Sequence, residues 1–186
     1  MIMMHSTLFA LLLLSLSANA AEFGTVLPGK SRLAFTSKQM GVPVDGHFDR
    51  FTTSLSFNPA SPAQASAKLE VELASIDAGS PEATDEVAGK PWFNLKRFPK
   101  ASFVSSGVKV LGGGRYEAIG KLSIKGRSQI VTAPFTFREE AGNGVFDGSF
   151  TLKRLDFGLG EGAWADLDTV ANDIRIKFHV VASPRK

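Results

Sequence analysis

Period-two alternation of apolar and polar residues runs along almost the whole chain, and it leaves few folds open. In KLEVELAS, Leu69, Val71 and Leu73 face one way and Lys68, Glu70 and Glu72 the other. YEAIGKLSIKG sets Tyr116, Ala118, Gly120, Leu122 and Ile124 against Glu117, Ile119, Lys121, Ser123 and Lys125. VTAPFTFR gives Val131, Ala133, Phe135 and Phe137 one face, and VFDGSFTLK does the same for Phe146, Gly148, Phe150 and Leu152. In DIRIKFHVV, Ile174, Ile176, Phe178 and Val180 oppose Arg175, Lys177, His179 and Val181. Leu33 with Phe35 marks an earlier strand, Leu55 with Phe57 another, and Phe103 sits in one that runs to about Leu111. Such a repeat is the signature of half-buried strands. Asn58-Pro59, Gly112-Gly113-Gly114, Lys125-Gly126 and Gly142-Asn143-Gly144 punctuate the runs as turns. The gaps hold no crossover helices, so the strands pair antiparallel. Closure on itself removes the open edges of so many strands. The expected fold is all-β, a closed antiparallel eight-stranded barrel.

One segment breaks the rhythm. SPEATDEVAGKPWFNLKRFPKASF begins like a helix, with Pro81 in the first turn and Glu82 near the positive end of the dipole. Gly89 and Pro91 stop it. Trp92, Phe93, Leu95 and Phe98 then follow within seven residues. The segment reads as one or two short helices whose apolar cluster caps one end of the barrel.

The first twenty residues read as a secretory signal. MIMMHSTLFALLLLSLSANA has an apolar run from Leu8 to Leu16 and ends in the Ala18-Asn19-Ala20 pattern of a cleavage site. The run is shorter than the roughly 20 apolar residues a membrane-spanning helix needs. Residues 21–186 then form a single domain, large enough to bury a core without staples. The absence of cysteine excludes a disulfide scaffold, a thiolate zinc site and a cysteine nucleophile. The expected location is the periplasm.

Little in the chain points to catalysis. A Ser-His-Asp machine needs His47 or His179, and no G-x-S-x-G elbow is present. His179 lies on the polar face of its strand, pointing to solvent, and His47 sits beside Phe48 in DGHFDRF. The two isolated histidines that follow the leader give no metal spacing, and Asp166, Asp168 and Asp173 match no calcium loop. The net charge of +3 comes from bases spread along the chain, without the basic stripe of a nucleic-acid binder. In KRLDFGLGEGAWADLDTV, Gly158, Gly160 and Gly162 lack the helix that a phosphate cradle requires, and acids follow them. They read as backbone turns packed down by Trp164, with Arg154 and Asp156 on one side of the strand as an ion pair. The alternative is that Arg154 meets an anionic head group at the barrel mouth. A barrel of about eight strands is either filled by side chains or holds one small ligand. Small residues among the large inward ones (Ala118, Gly120, Ala133, Gly148) fit a tapered tunnel or simple relief of crowding, and the sequence leaves that choice open.

Four stretches, in order, resemble the YceI-like, polyisoprenoid-binding family of exported bacterial proteins. They are SRLAFTSKQMGVPVDGHFDRF, VELASIDAGSPEATDEVAGKPWFNLKRFPKASFVSS, YEAIGKLSIKGRSQIVTAPFTF and LKRLDFGLGEGAWADLDTVANDIRIKFHV. The last is similar to the family's R-x-D-F-G-[IL]-G-x-G-x-W. The resemblance implies a lipocalin-like barrel with a long apolar pocket for an isoprenoid chain, such as a polyprenyl phosphate or a quinone tail. It implies no catalytic set and no cofactor, a periplasmic and often dimeric protein, and in one subgroup a neighbouring membrane b-type cytochrome. The family's R-D-x-H-L at the short helix is TDEVAG here, so only Asp85 matches and no head-group contact is carried over.

The expected function is therefore a non-enzymatic binder of an isoprenoid lipid, for transport, storage or protection. By alternation the expected wall is Phe35, Phe57, Leu73, Phe103, Leu122, Phe135, Phe137, Phe146, Phe150, Ile176 and Phe178, with Trp92 and Phe93 as a lid and Arg154 at the mouth. Expected partners are the lipid, a second copy of the chain and a membrane b-type cytochrome, with no nucleic acid and no metal. The competing reading is an interaction or stress protein with a filled barrel that meets a membrane redox partner. A hydrolase built on His47 is the third.

Overall fold

The computed structural model describes residues 21–185; the leader expected at residues 1–20 lies outside them. Eleven strands form one antiparallel sheet. They are β1 (Phe23–Val26), β2 (Arg32–Gln39), β3 (Val42–Phe48), β4 (Phe51–Ser56), β5 (Ser66–Glu72), β6 (Ile76–Asp77), β7 (Lys100–Gly112), β8 (Arg115–Ile124), β9 (Arg127–Glu140), β10 (Asn143–Lys153) and β11 (Asp173–Pro184). The hydrogen-bonded order is β4-β5-β7-β8-β9-β10-β11-β2-β3-β6, with β1 on β11. The sheet curls into a half-barrel with its apolar rows inside.

The three strands beyond the eight that alternation predicts are β1, β3 and β6. Each has a local reason to be hidden. In β3, VPVDGHF, a proline and a glycine interrupt the alternation, yet it pairs with β2 over seven residues from Leu33↔Phe48 to Gln39↔Val42. The chain runs from β3 into β4 through Asp49 and Arg50, where it leaves β2 and joins β5. Likewise β5 reaches β6 through the 3-10 turn Leu73–Ser75 and changes partner from β4 to β3. Ser75 holds this double bend: its Oγ accepts from the Arg50 N–H at 3.0 Å and donates to the Glu72 carbonyl at 2.7 Å. Short β1 ties two parts of the sheet together, since Phe23 and Phe57 exchange backbone hydrogen bonds of 2.8 and 3.0 Å.

Three tight hairpins follow from paired left-handed residues: Met40-Gly41, Lys125-Gly126 and Ala141-Gly142, all with φ between 48° and 79°. Two consecutive positive φ values make the turn whose twist matches the flanking strands. The helix α1 (Pro81–Ala88) starts where the sequence places it, with Pro81 in its first turn and the Ser80 side chain accepting from the Ala83 N–H at 3.2 Å. Residues 89–99 follow as turns, without a second α-helix.

Candidate functional site: an apolar cavity

The inward rows of the strands enclose a cavity of about 640 Å³. That is within the range of roughly 300–1,000 Å³ typical of small-molecule sites. Of the fourteen residues expected at the site, thirteen stand on its wall. Phe35 and Leu73 come from the β2 and β5 rows, Phe57 from the end of β4, and Phe103 and Leu122 from β7 and β8. Phe135 comes from β9, Phe146 and Phe150 from β10, Ile176 and Phe178 from β11. Trp92, Phe93 and Arg154 close the end that carries the loops. Phe137 is the exception. Its ring lies 5.4 Å from that of Phe23 and 4.7 Å from that of Phe57, so it belongs to a packed cluster and not to the wall.

A wall so rich in phenylalanine stays hollow because glycines receive the rings. Phe35 is in register with Gly46, and Phe178 with Gly148. A Cβ built on Gly46 would lie 2.3 Å from the Phe35 ring, and one on Gly148 would lie 2.2 Å from the Phe178 ring. Gly120 stands in the same relation to Phe103, at 2.5 Å. The far edge of each ring, its Cζ and one Cε, occupies space over the glycine that any side chain would take. Of the small inward residues, Gly120 and Gly148 thus make room for rings, while Ala118 and Ala133 line the cavity.

The two ends of the lumen are built differently. At one end Phe57 meets the rings of Tyr116, Phe137 and Phe146 at centroid distances of 5.4, 4.7 and 5.1 Å, two of them edge-on. Phe23 and Phe57 are each 1% exposed, and the end is plugged by side chains alone.

At the other end the glycine loop folds around Arg154, which is 0% exposed. The expected ion pair with Asp156 does not form. The strand ends at Lys153 and a 3-10 turn, Arg154–Phe157, breaks the alternation, which leaves Asp156 in solvent. The guanidinium instead donates to backbone carbonyls: Nε to Ala171 (3.1 Å), Nη1 to Leu159 (2.8 Å) and Gly160 (3.2 Å), Nη2 to Trp164 (2.7 Å), Val170 (2.7 Å) and, more weakly, Asp166 (3.5 Å). All five N–H groups are thus engaged within the loop, and none is left for a head group. Burial pushes its pKa below the ordinary value, although a guanidinium starts so high that it remains charged. Gly158, Gly160 and Gly162 all have positive φ, and a Cβ on Gly160 would fall 2.2 Å from Arg154 Nη1. Lys125, 9% exposed at its side chain, seals the outside by donating to the Gly158 carbonyl (2.6 Å) and the Glu161 carboxylate (3.2 Å).

At this end α1 lends exposed residues to the wall. Half-buried Ala83 and Val87 line the lumen, with exposed Glu82 and Glu86 on the rim; Gln39 at the end of β2 is a further exposed lining residue, and Arg32 and Ser66 are exposed lining residues elsewhere on the wall. Alternation, extended to Ser37, Gln39 and Thr53, would have found three further wall residues; Trp164 and the two glutamates carry no such signal. Trp92 Nε1 and Thr53 Oγ1 have no hydrogen-bond partner, though both residues stand on the wall. The outer face holds both histidines of the described residues. His179 Nδ1 lies 2.6 Å from Asp147, and His47 Nε2 lies 3.1 Å from Asp49, with no hydroxyl bonded to either ring among the described residues. Burial raises the pKa of Asp147, and hydrogen bonds from Arg138 and His179 outweigh this, so that its carboxyl stays below the ordinary value. No metal-holding group of acids and histidines occurs among the described residues.

The model of the YceI-like domain family matches residues 25–182. The UPF0312 protein of Azotobacter vinelandii is 30% identical over 120 residues, 61% of this chain and 62% of that protein, so the chain spans less than two thirds of its length. The UPF0312 protein of Photorhabdus laumondii is 31% identical over 133 residues, covering 70% of this chain and 67% of that one. Among solved structures, Burkholderia cenocepacia BcnA superposes with a TM-score of 0.83 at 43% identity, covering 85% of this chain and 99% of its own. A polyisoprenoid binding domain from Saccharophagus degradans gives a TM-score of 0.65 at 16% identity over 89% and 99% of the two chains, a likeness of fold.

Proposed function

The chain belongs to the YceI-like domain family, and from that premise we propose that it is a non-enzymatic carrier that holds an isoprenoid lipid in its apolar cavity. The observation that carries this reading is the lumen of about 640 Å³ lined by one apolar row from nearly every strand. The polyisoprenoid-binding description of the Saccharophagus structure supports the choice of ligand. The magnitudes allow it: at about 0.3 kcal/mol per heavy atom, a chain of about twenty carbons binds with about 6 kcal/mol, in the range of tens of micromolar. The filled-barrel alternative finds no support in a lumen of this size.

We further propose that the ten strands of the main path, with β3 and β4 counted as one bent ribbon, β5 and β6 as another, and β1 left off the path, act as a closed barrel of eight strands around that ligand. We place the protein in the periplasm, on the strength of the leader-like first twenty residues, where it transports, stores or protects a polyprenyl phosphate or quinone-type lipid. A homodimer and a membrane b-type cytochrome are its proposed partners. Solvent extraction of the protein purified from its own periplasm, followed by mass spectrometry, tests the proposal. A prenyl lipid in a stoichiometric amount is expected, and folded Phe150→Asp protein is expected to lose it. A lipid-free wild-type extract, or a folded variant with unchanged lipid content, would refute the reading.

A further inference from the structure

The cavity wall is apolar until the loop end, and the charges there discriminate among lipids of equal chain length. On α1, Glu82, Ala83, Glu86 and Val87 fall on one face of the helix, as spacing by three and four residues requires. The apolar pair closes the lumen and the two carboxylates stand at its rim, both exposed. Neither glutamate pairs with a cation among the described residues. The backbone and the Ser80 hydroxyl hold the Glu82 carboxyl below its ordinary pKa, so it is ionised at neutral pH. Lys38 and Lys90 are near this rim in sequence, but neither is on the wall. The wall has two bases. Arg154 has every N–H engaged by backbone carbonyls. Arg32 opens β2, in register with His179. It is seven residues from Gln39 and so about 23 Å along the strand from the rim. The other rim groups, Ser37, Gln39 and Ser80, are uncharged.

We infer that the cavity selects lipids whose polar end is not anionic: at the α1 rim a prenyl alcohol is accepted and the corresponding prenyl phosphate is rejected. The inference rests on the lipid-binding reading above and narrows its ligand. A phosphate at this rim meets two carboxylates and, among the described wall residues, no free cation nearby, whereas a hydroxyl donates a hydrogen bond to either glutamate.

The test uses geranylgeraniol and geranylgeranyl monophosphate as probes of one chain length. The chain has two tryptophans, Trp92 and Trp164, and both are on the wall, so intrinsic fluorescence reports binding. The alcohol is expected to bind about tenfold more tightly than the monophosphate at low salt, with the gap narrowing as salt screens the rim. The double variant Glu82→Gln, Glu86→Gln should bring the two probes level, and Glu82→Lys, Glu86→Lys should reverse their order. Wild-type protein that takes the monophosphate as well as the alcohol would overturn the charge selection and leave lipid binding intact. Protein that binds neither probe would overturn both.

Discussion

The plugged end and the loop end of the lumen seal the same space by opposite means. At the plug, Phe23, Phe57, Phe137 and Phe146 are brought together by strand residues whose backbones are already paired in the sheet. Apart from the Tyr116 hydroxyl the side chains of this cluster are apolar, and burial of ring surface supplies the stability. At the loop end the chain must leave the sheet to cross the lumen, and its carbonyls lose their ladder partners. A buried loop of this kind is stable only if those groups find donors. One guanidinium supplies them, which explains why a charge with no carboxylate partner sits 0% exposed in the wall. The rigid end is therefore dry and side-chain-made, and the end that meets solvent is backbone-made. The entrance proposed for a lipid belongs to the second.

The sharpest way to break this contrast is to remove the guanidinium. Arg154→Met keeps bulk and apolar contact with Trp92, but strands the carbonyls of Leu159, Gly160, Trp164, Val170 and Ala171. At about 1 kcal/mol or more for each orphaned group, the expected loss is on the order of 5 kcal/mol in urea unfolding. Arg154→Lys should recover little of it, because an ammonium offers three donors at one point where a guanidinium offers five in a fork. If Arg154→Met costs under about 1 kcal/mol, the loop is held by something else.

The degree to which each end was legible in the sequence follows the same contrast. The inward rows that form the plug and the wall obey alternation, so Phe57, Phe135 and Phe146 are readable from spacing alone. Phe137 obeys it too, yet leaves the wall, because its place depends on Phe23, more than a hundred residues away in sequence. Gly158, Gly160 and Gly162 are readable as turns, but what they turn around is not. Arg154 keeps the inward parity of β10 while Asp156 loses it at the 3-10 turn, and no local pattern marks that break. Gly46 hides β3 from a search for alternation for a reason located on another strand, the ring of Phe35. Composition carried no sign of the acidic rim, since the chain as a whole is basic.

The plug offers the next largest effect. Phe57→Ala removes the ring that touches four others and should cost about 3–5 kcal/mol in the same unfolding assay. Because Phe57 also ends the cavity, the space it leaves is continuous with the lumen. The folded variant should accept longer prenols than the wild type, with the order of alcohol over phosphate unchanged at the far rim. Longer chains gaining no affinity would show that the plug collapses into the gap and is less rigid than its packing implies.

The smallest of these effects tests why the space between the ends is open at all. Gly148 has a φ that alanine tolerates, so by chain entropy alone Gly148→Ala should stabilise the protein by about 0.4–1 kcal/mol. The wall reverses that sign. The new methyl group would meet the Phe178 ring at 2.2 Å, and the carbonyl of Pro134 stands 2.5 Å away on the other side. The methyl therefore has nowhere to retreat, and the ring must swing off the backbone into the lumen. Overpacking of this kind costs about 1–3 kcal/mol. Gly46→Ala repeats the experiment at Phe35, where the Asp77 carbonyl blocks retreat at 2.5 Å. Both variants should therefore lose affinity for geranylgeraniol out of proportion to their modest loss of stability, while Arg154→Met loses stability first. Crystal structures of the two variants decide the matter: rings that still lie on the wall, with wild-type affinity, would mean that something other than these glycines keeps the cavity hollow.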